Sequence, residues 1–163
     1  MAWAKLATKT LTSNGDTITT STFTGNKFNQ ILQHTISSGL IETTYNFNAD
    51  NTGTKYSYRK STSGGADSTA ISQSYLFGAY IGWTYAKDEF IVGYLCSISG
   101  EEKLGIFFAV GEGTQNATVA PERIEIVGKY VPSPDASITS VTSNNGNTGD
   151  FVTDSNLSVL GTD

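Results

Sequence analysis

From residue 40 to residue 48 the side chains alternate without interruption. Ile41, Thr43, Tyr45 and Phe47 fall on one face of an extended chain, and Glu42, Thr44, Asn46 and Asn48 fall on the other. A period of two is the signature of a strand with one face buried. Residues 49–53 follow with turn chemistry: Asp50 and Asn51 tolerate unusual dihedrals and Gly53 adopts positive φ freely. Tyr56 and Tyr58 then resume the alternation against Ser57 and Arg59. The stretch 40–59 is therefore expected to be a hairpin or a tight corner between two strands.

The rest of the chain repeats this logic. Residues 3–11 form a first expected strand, 17–23 a second and 27–36 a third. The Asn14-Gly15 pair before Thr17-Ile18-Thr19 reads as a hairpin signal. Residues 61–73, small and polar around Gly64-Gly65, read as a long surface loop, a place where function or contacts concentrate. Residues 75–85 are the most aromatic segment. Residues 90–98 are a continuous apolar run that fits a central strand buried on both faces, and 103–110 reads the same way. After a loop at 111–121 come a strand at 123–131 and the ladder-breaking Pro132 and Pro134. A strand at 136–142, anchored by Ile138 and Val141, a loop at 144–150 and a last strand at 156–160 complete the chain. About ten short strands at this spacing describe an all-β sandwich or barrel, one domain over residues 1–163.

The abundance of Thr and Ser supports strands and turns over helices, and only 15% of the residues are charged. A net charge of −5 argues against nucleic acid and against an anionic membrane as partners, since both are met with Lys and Arg. The single cysteine, Cys96, excludes an internal disulfide. The first residues lack the apolar core of a signal peptide, and synthesis in a cytoplasm is expected. The sequons at Asn116 and Asn156 are read as unused.

Most candidate sites have a plainer explanation. The series Asn48, Asp50, Thr52, Gly53 matches the first half of a calcium loop, but the twelfth position, where a bidentate carboxylate belongs, is Arg59. His34 has no accompanying nucleophile motif and is expected to be structural, at a core edge or an interface. Cys96, between Leu95 and Ile98, is expected to be a small core residue. Gly111-Glu112-Gly113 lacks the context of a dinucleotide loop. The pairs Asp88-Glu89 and Glu101-Glu102 border turns and are expected to be solvated charges rather than paired glycosidase carboxylates. No metal ligand set, cofactor site or catalytic residue emerges. The aromatic segment offers more: Tyr80, Trp83 and Tyr85 could pack in the core, anchor a protein interface, or stack on sugar rings.

Four blocks give the chain a family resemblance. They are Leu6 through Leu11 with Asp16-Thr17-Ile18; Phe47-Asn48-x-Asp50-x-x-Gly53-x-x-Tyr56-x-Tyr58-Arg59, with Ser61, Gly64-Gly65-Ala66-Asp67 and Ser72-Gln73; Glu125 to Tyr130 with Ile138-Thr139; and Gly149-Asp150-Phe151 leading to Leu157 through Gly161. In this order they resemble a class of tailed-phage and related viral β-sandwich proteins, some carried on virions. The resemblance implies an antiparallel two-sheet, jelly-roll-like sandwich with first and last strands adjacent, and a structural role in a virion without catalytic residues. A head-decoration or cement protein, or a fibre or appendage module, would contact a capsid or other virion structural protein. It would do so as a homo-oligomer, possibly a trimer. The contact candidates are Tyr80, Trp83 and Tyr85, and in the loop Gly64, Gly65 and Asp67. A carbohydrate-binding module for host attachment is the alternative. Residues 75–113 match nothing in this class.

Overall fold

The computed structural model describes residues 2–81, 88–111, 117–118, 120–132 and 136–163. Twelve strands, rather than ten, run in the order β1 (Ala4–Thr10), β2 (Thr17–Thr19), β3 (Phe28–Thr35), β4 (Ile41–Phe47), β5 (Tyr56–Thr62), β6 (Ser68–Gln73), β7 (Leu76–Ile81), β8 (Glu89–Cys96), β9 (Lys103–Gly111), β10 (Glu122–Tyr130), β11 (Val141–Asn145) and β12 (Asn156–Thr162). They form two antiparallel sheets, one of eight strands in the order β1-β12-β3-β8-β9-β10-β5-β6 and one of four in the order β2-β11-β4-β7. The fold is an all-β, two-sheet sandwich. Its first and last strands lie side by side, Ala4 opposite Gly161.

The alternation that opens the sequence does the work expected of it. Ile41, Thr43, Tyr45 and Phe47 all point from β4 into the space between the sheets. There they meet Ile31, Ile91, Phe107, Ile124 and Val159 from the larger sheet, all fully buried. Tyr45 stacks on Phe107 with ring centres 5.5 Å apart. Phe47, Tyr56 and Tyr130 form a second aromatic group, the two tyrosines stacked at 4.7 Å.

Residues 48–55 are a corner, not a hairpin: β4 belongs to the small sheet and β5 to the large one. Asn48 and Ala49, both at φ 56°, and Gly53 at φ 74° turn the chain. Asp50 fastens it. Its carboxylate accepts hydrogen bonds from Lys55 Nζ (2.7 Å), Tyr130 Oη (3.1 Å) and Thr52 Oγ1 (3.2 Å). Tyr56 Oη donates to the Asp50 carbonyl (2.8 Å) and accepts from the Phe47 amide (3.0 Å). Burial would raise the Asp50 carboxyl, but the Lys55 and Tyr130 hydrogen bonds outweigh it and hold the group below its ordinary value. The half-match to a calcium loop is thus a clamp between protein groups.

Three local expectations are corrected. Residues 61–73 are not a long loop: Ser63 and Gly64, both at positive φ, make a tight turn and β6 returns along β5. The strand is missed in the sequence because β6 is a sheet edge with largely exposed side chains, so no apolar alternation marks it. Asn14-Gly15 does not close a hairpin either. β1 pairs with β12 and β2 with β11, while Gly15 and Phe151 exchange amide hydrogen bonds of 3.0 Å. Finally, the strand expected at 136–142 begins only at Val141. Ile138 is still buried, because Ser97 Oγ and the Asn48 side chain take the amides of Ile138 and Thr139 that a ladder would otherwise satisfy.

Three outer strands carry irregularities. Register slips by one residue at Leu6 in β1, within the Ala70–Gln73 segment of β6, and at Gly78 in β7. A Cβ on Gly78 would lie 2.7 Å from the Tyr45 ring and 3.0 Å from the Thr43 carbonyl oxygen.

Candidate functional site

The two apolar runs of the sequence become the centre of the large sheet, β8 and β9, and alternation divides each between two faces. Ile91, Gly93 and Leu95 of β8 and Phe107 and Ala109 of β9 point into the core. Gly93 is required there, since a Cβ would stand 2.3 Å from the Phe107 ring, which lies over it. Phe90, Val92, Tyr94 and Cys96 of β8, and Leu104, Ile106, Phe108 and Val110 of β9, point the other way.

The second set faces outward. Leu104 is 56% exposed and Phe108 48%, and Phe90, Tyr94, Ile106 and Val110 are similarly open. This corrects the expectation that both strands are buried on both faces. The strands are central, but among the described residues a covering layer lies on one side only. Cys96 likewise belongs to the outer face, half-buried, rather than to the core.

Register assembles these residues into one patch. Phe90 lies opposite Val110, Val92 opposite Phe108, Tyr94 opposite Ile106 and Cys96 opposite Leu104. On one side β3 adds Phe28 and Leu32, and on the other β10 adds Val127 opposite Ile106. Shallow hollows run along the patch, one bounded by Phe90, Val92, Phe108, Val110 and Arg123, another by Phe28, Tyr94, Leu104 and Ile106.

A polar margin surrounds it. Around Val127 come Arg59 of β5 with Asp67 (3.8 Å) and, along β10, Arg123 with Glu125 (3.4 Å) and Lys129 with Glu102 (3.0 Å). On β3 itself Gln30 donates to Tyr94 Oη (3.1 Å), and beyond β3 come the linked Thr8, Asn156 and Ser158. His34 also lies on this margin, opposite Phe90, with Nε2 3.8 Å from Asp88. An apolar centre with a polar rim is the anatomy of a protein–protein contact surface.

Of the contact candidates named from sequence that the structure describes, only Asp67 reaches this surface. Tyr80 stands exposed on β7, an edge of the small sheet, away from the patch. Trp83 and Tyr85 lie outside the described residues, as do Glu112 and Gly113 of the glycine-rich turn. Gly64 and Gly65 shape the β5–β6 turn, where Ser61 Oγ donates to the Gly65 carbonyl (2.9 Å). Asp67 is the exception, since its ion pair with Arg59 is part of the rim. The patch residues themselves went unnoticed because an apolar run is read as core. The signal was present: apolar on both alternations means that both faces are to be covered.

The pair Asp88-Glu89 also departs from expectation. Asp88 is exposed, but Glu89 turns inward and is 1% exposed. Its Oε2 accepts a hydrogen bond from Thr43 Oγ1 across the sandwich (3.3 Å), and Oε1 has no partner. Nearby, Tyr45 Oη donates to Gln33 Oε1 (2.9 Å) and Gln33 Nε2 to Thr35 Oγ1 (2.9 Å). Burial pushes the Glu89 carboxyl up to about 8, with the Thr43 hydrogen bond a smaller opposing influence. Burial, with the neighbouring Glu89 charge, raises the Tyr45 hydroxyl well above its ordinary value. Buried throughout, this cluster bridges the two sheets.

Among the described residues no group of three His, Cys, Asp or Glu side chains converges as a metal site. Comparison with protein-family models, with curated proteins and with solved structures gives no match.

Proposed function

We propose that this chain is a non-enzymatic structural protein of a virion, a head-decoration or cement protein or a fibre or appendage module, acting through protein–protein contacts. One observation carries the contact reading: the outward face of β8 and β9 is as apolar as the inward one, and it stays exposed among the described residues. Apolar patches of this extent on a soluble domain mark interaction sites. The virion setting rests on the sequence blocks that resemble viral β-sandwich proteins. Mass spectrometry of particles purified from cells carrying this gene tests both parts. The chain is expected in the particles at fixed stoichiometry, and Phe108→Lys is expected to leave it in the soluble fraction, still folded. Recovery of the wild-type chain only as a soluble protein would refute the virion setting. Unchanged incorporation of the variant would refute the face.

The second reading, a carbohydrate-binding module, is favoured by Tyr80, exposed on an edge strand at the start of the aromatic segment. It predicts glycan-array binding that Trp83→Ala abolishes and Phe108→Lys leaves intact. No glycan bound by the wild-type chain would end it.

A further inference from the structure

We propose that the outer face of β3, β8, β9 and β10 is covered by a second copy of this chain, the two large sheets stacked face to face about a two-fold axis. This rests on the reading of that face as a contact surface and names its occupant.

Area is the first support. The exposed parts of Phe28, Phe90, Tyr94, Leu104, Ile106, Phe108, Val110 and Val127 are each between 37% and 56% of the residue's surface. Together they amount to roughly 550–900 Å² of mostly apolar surface, given ~150–250 Å² for a large side chain. The largest apolar patch of an ordinary monomer is about 300–600 Å². A stable interface covers about 800 Å² on each partner. This face therefore lies at or above the upper end of what a solitary domain shows and approaches what one side of a dimer needs.

Charge points to the same occupant. The chain carries a net charge of −5, so two copies repel unless the charges near the contact cancel. Most of them cancel here: Arg59 is balanced by Asp67, Arg123 by Glu125 and Lys129 by Glu102, each within the chain, which leaves Asp88, 3.8 Å from His34, at one end of the margin. A partner selected by charge would need a field of one sign on the rim, whereas ions largely paired within the chain let the surface meet itself with little net repulsion. The geometry also suits a two-fold. Ile106 is central, flanked by Tyr94 on β8 and Val127 on β10. In an isologous contact the same central residue approaches the axis from both copies. The sheets would then form the layered packing that strands apolar on both faces require.

Sedimentation equilibrium of the purified full chain, from micromolar concentrations upward, is the test. The wild-type chain is expected at twice the monomer mass. Ile106→Asp, a substitution on an exposed position, is expected to raise the dimer dissociation constant on the order of 100-fold or more, because both copies place the charge at the centre. Thr19→Lys, on the small sheet, is expected to leave it unchanged. Circular dichroism of each variant establishes that it is folded, and Leu104→Asp provides a second break should Ile106→Asp fail to fold. A monomeric wild-type chain, a three-chain mass, or a dimer indifferent to both aspartates would overturn the inference. A monomer that still loses particle incorporation on Phe108→Lys would overturn self-association alone, leaving the face assigned to another virion protein.

Discussion

Glu89→Gln will abolish most of a loss of stability that the wild-type protein suffers between about pH 4.5 and pH 8. In the folded chain the carboxyl sits near 8, whereas in the unfolded chain it returns to its ordinary 4.5. Between those values the folded state holds a proton that the unfolded state has released, so raising the pH favours unfolding. The stabilisation is complete below the unfolded value and gone once the pH has passed the folded one. The raised value corresponds to on the order of 4–5 kcal/mol. A glutamine keeps the shape, stays neutral and can still accept the Thr43 hydroxyl, so its stability should be nearly flat over this window. Urea unfolding of both chains from pH 4.5 to 9 measures the difference. Parallel curves would mean that Glu89 ionises without cost, against its complete burial. Asp50 supplies the opposite limb. Its lowered carboxyl contributes stability above its unfolded value of 3.8 that is lost as pH falls through the still lower folded value. The wild-type chain should therefore be most stable on the acid side of neutrality.

Phe107 and Phe108 are neighbours in sequence, and truncating them will have opposite kinds of effect. Phe107 is fully buried, stacks on Tyr45 and fills the space over Gly93 and beside Gly105. Neither glycine has a side chain to spread into the void, so Phe107→Ala leaves a cavity and should cost about 3–5 kcal/mol of folding stability. Phe108 points to the outer face, and Phe108→Ala should cost the monomer less than about 1 kcal/mol while weakening association. Chemical denaturation at a concentration where both variants are monomeric separates the two effects. Equal losses would show that the sheet faces have been assigned wrongly.

Much of the sandwich was legible because its strands bury one face. The alternation of Ile41, Thr43, Tyr45 and Phe47 states both the strand and the side that faces the core. Where burial and alternation part company, the reading failed. β6 buries neither face and looked like a loop. Residues 136–140 bury Ile138 through side-chain hydrogen bonds without joining a ladder and looked like a strand. Pairing partners were the least legible. Asn14-Gly15 offers hairpin chemistry, but nothing local tells β1 that its partner is β12, more than a hundred residues on. Glu89 was legible in principle: two successive strand residues point to opposite faces, so one of Asp88 and Glu89 had to point inward once β8 began there. The outer patch was read correctly as apolar and wrongly as core, because a sequence does not reveal whether the covering layer belongs to the same molecule.

A sheet ending in straight, bare strands invites other chains to extend its ladder without limit. Here the extra residues at Leu6, in the 70–73 segment and at Gly78 disturb the hydrogen-bonding rows of β1, β6 and β7, and the remaining border, β2, is three residues long. Fibrous growth by strand addition is thereby discouraged on all four borders. Among the described residues the exposed aromatic and aliphatic side chains then gather on the broad outer face of β8 and β9, and the sheet borders offer a growing ladder little to extend.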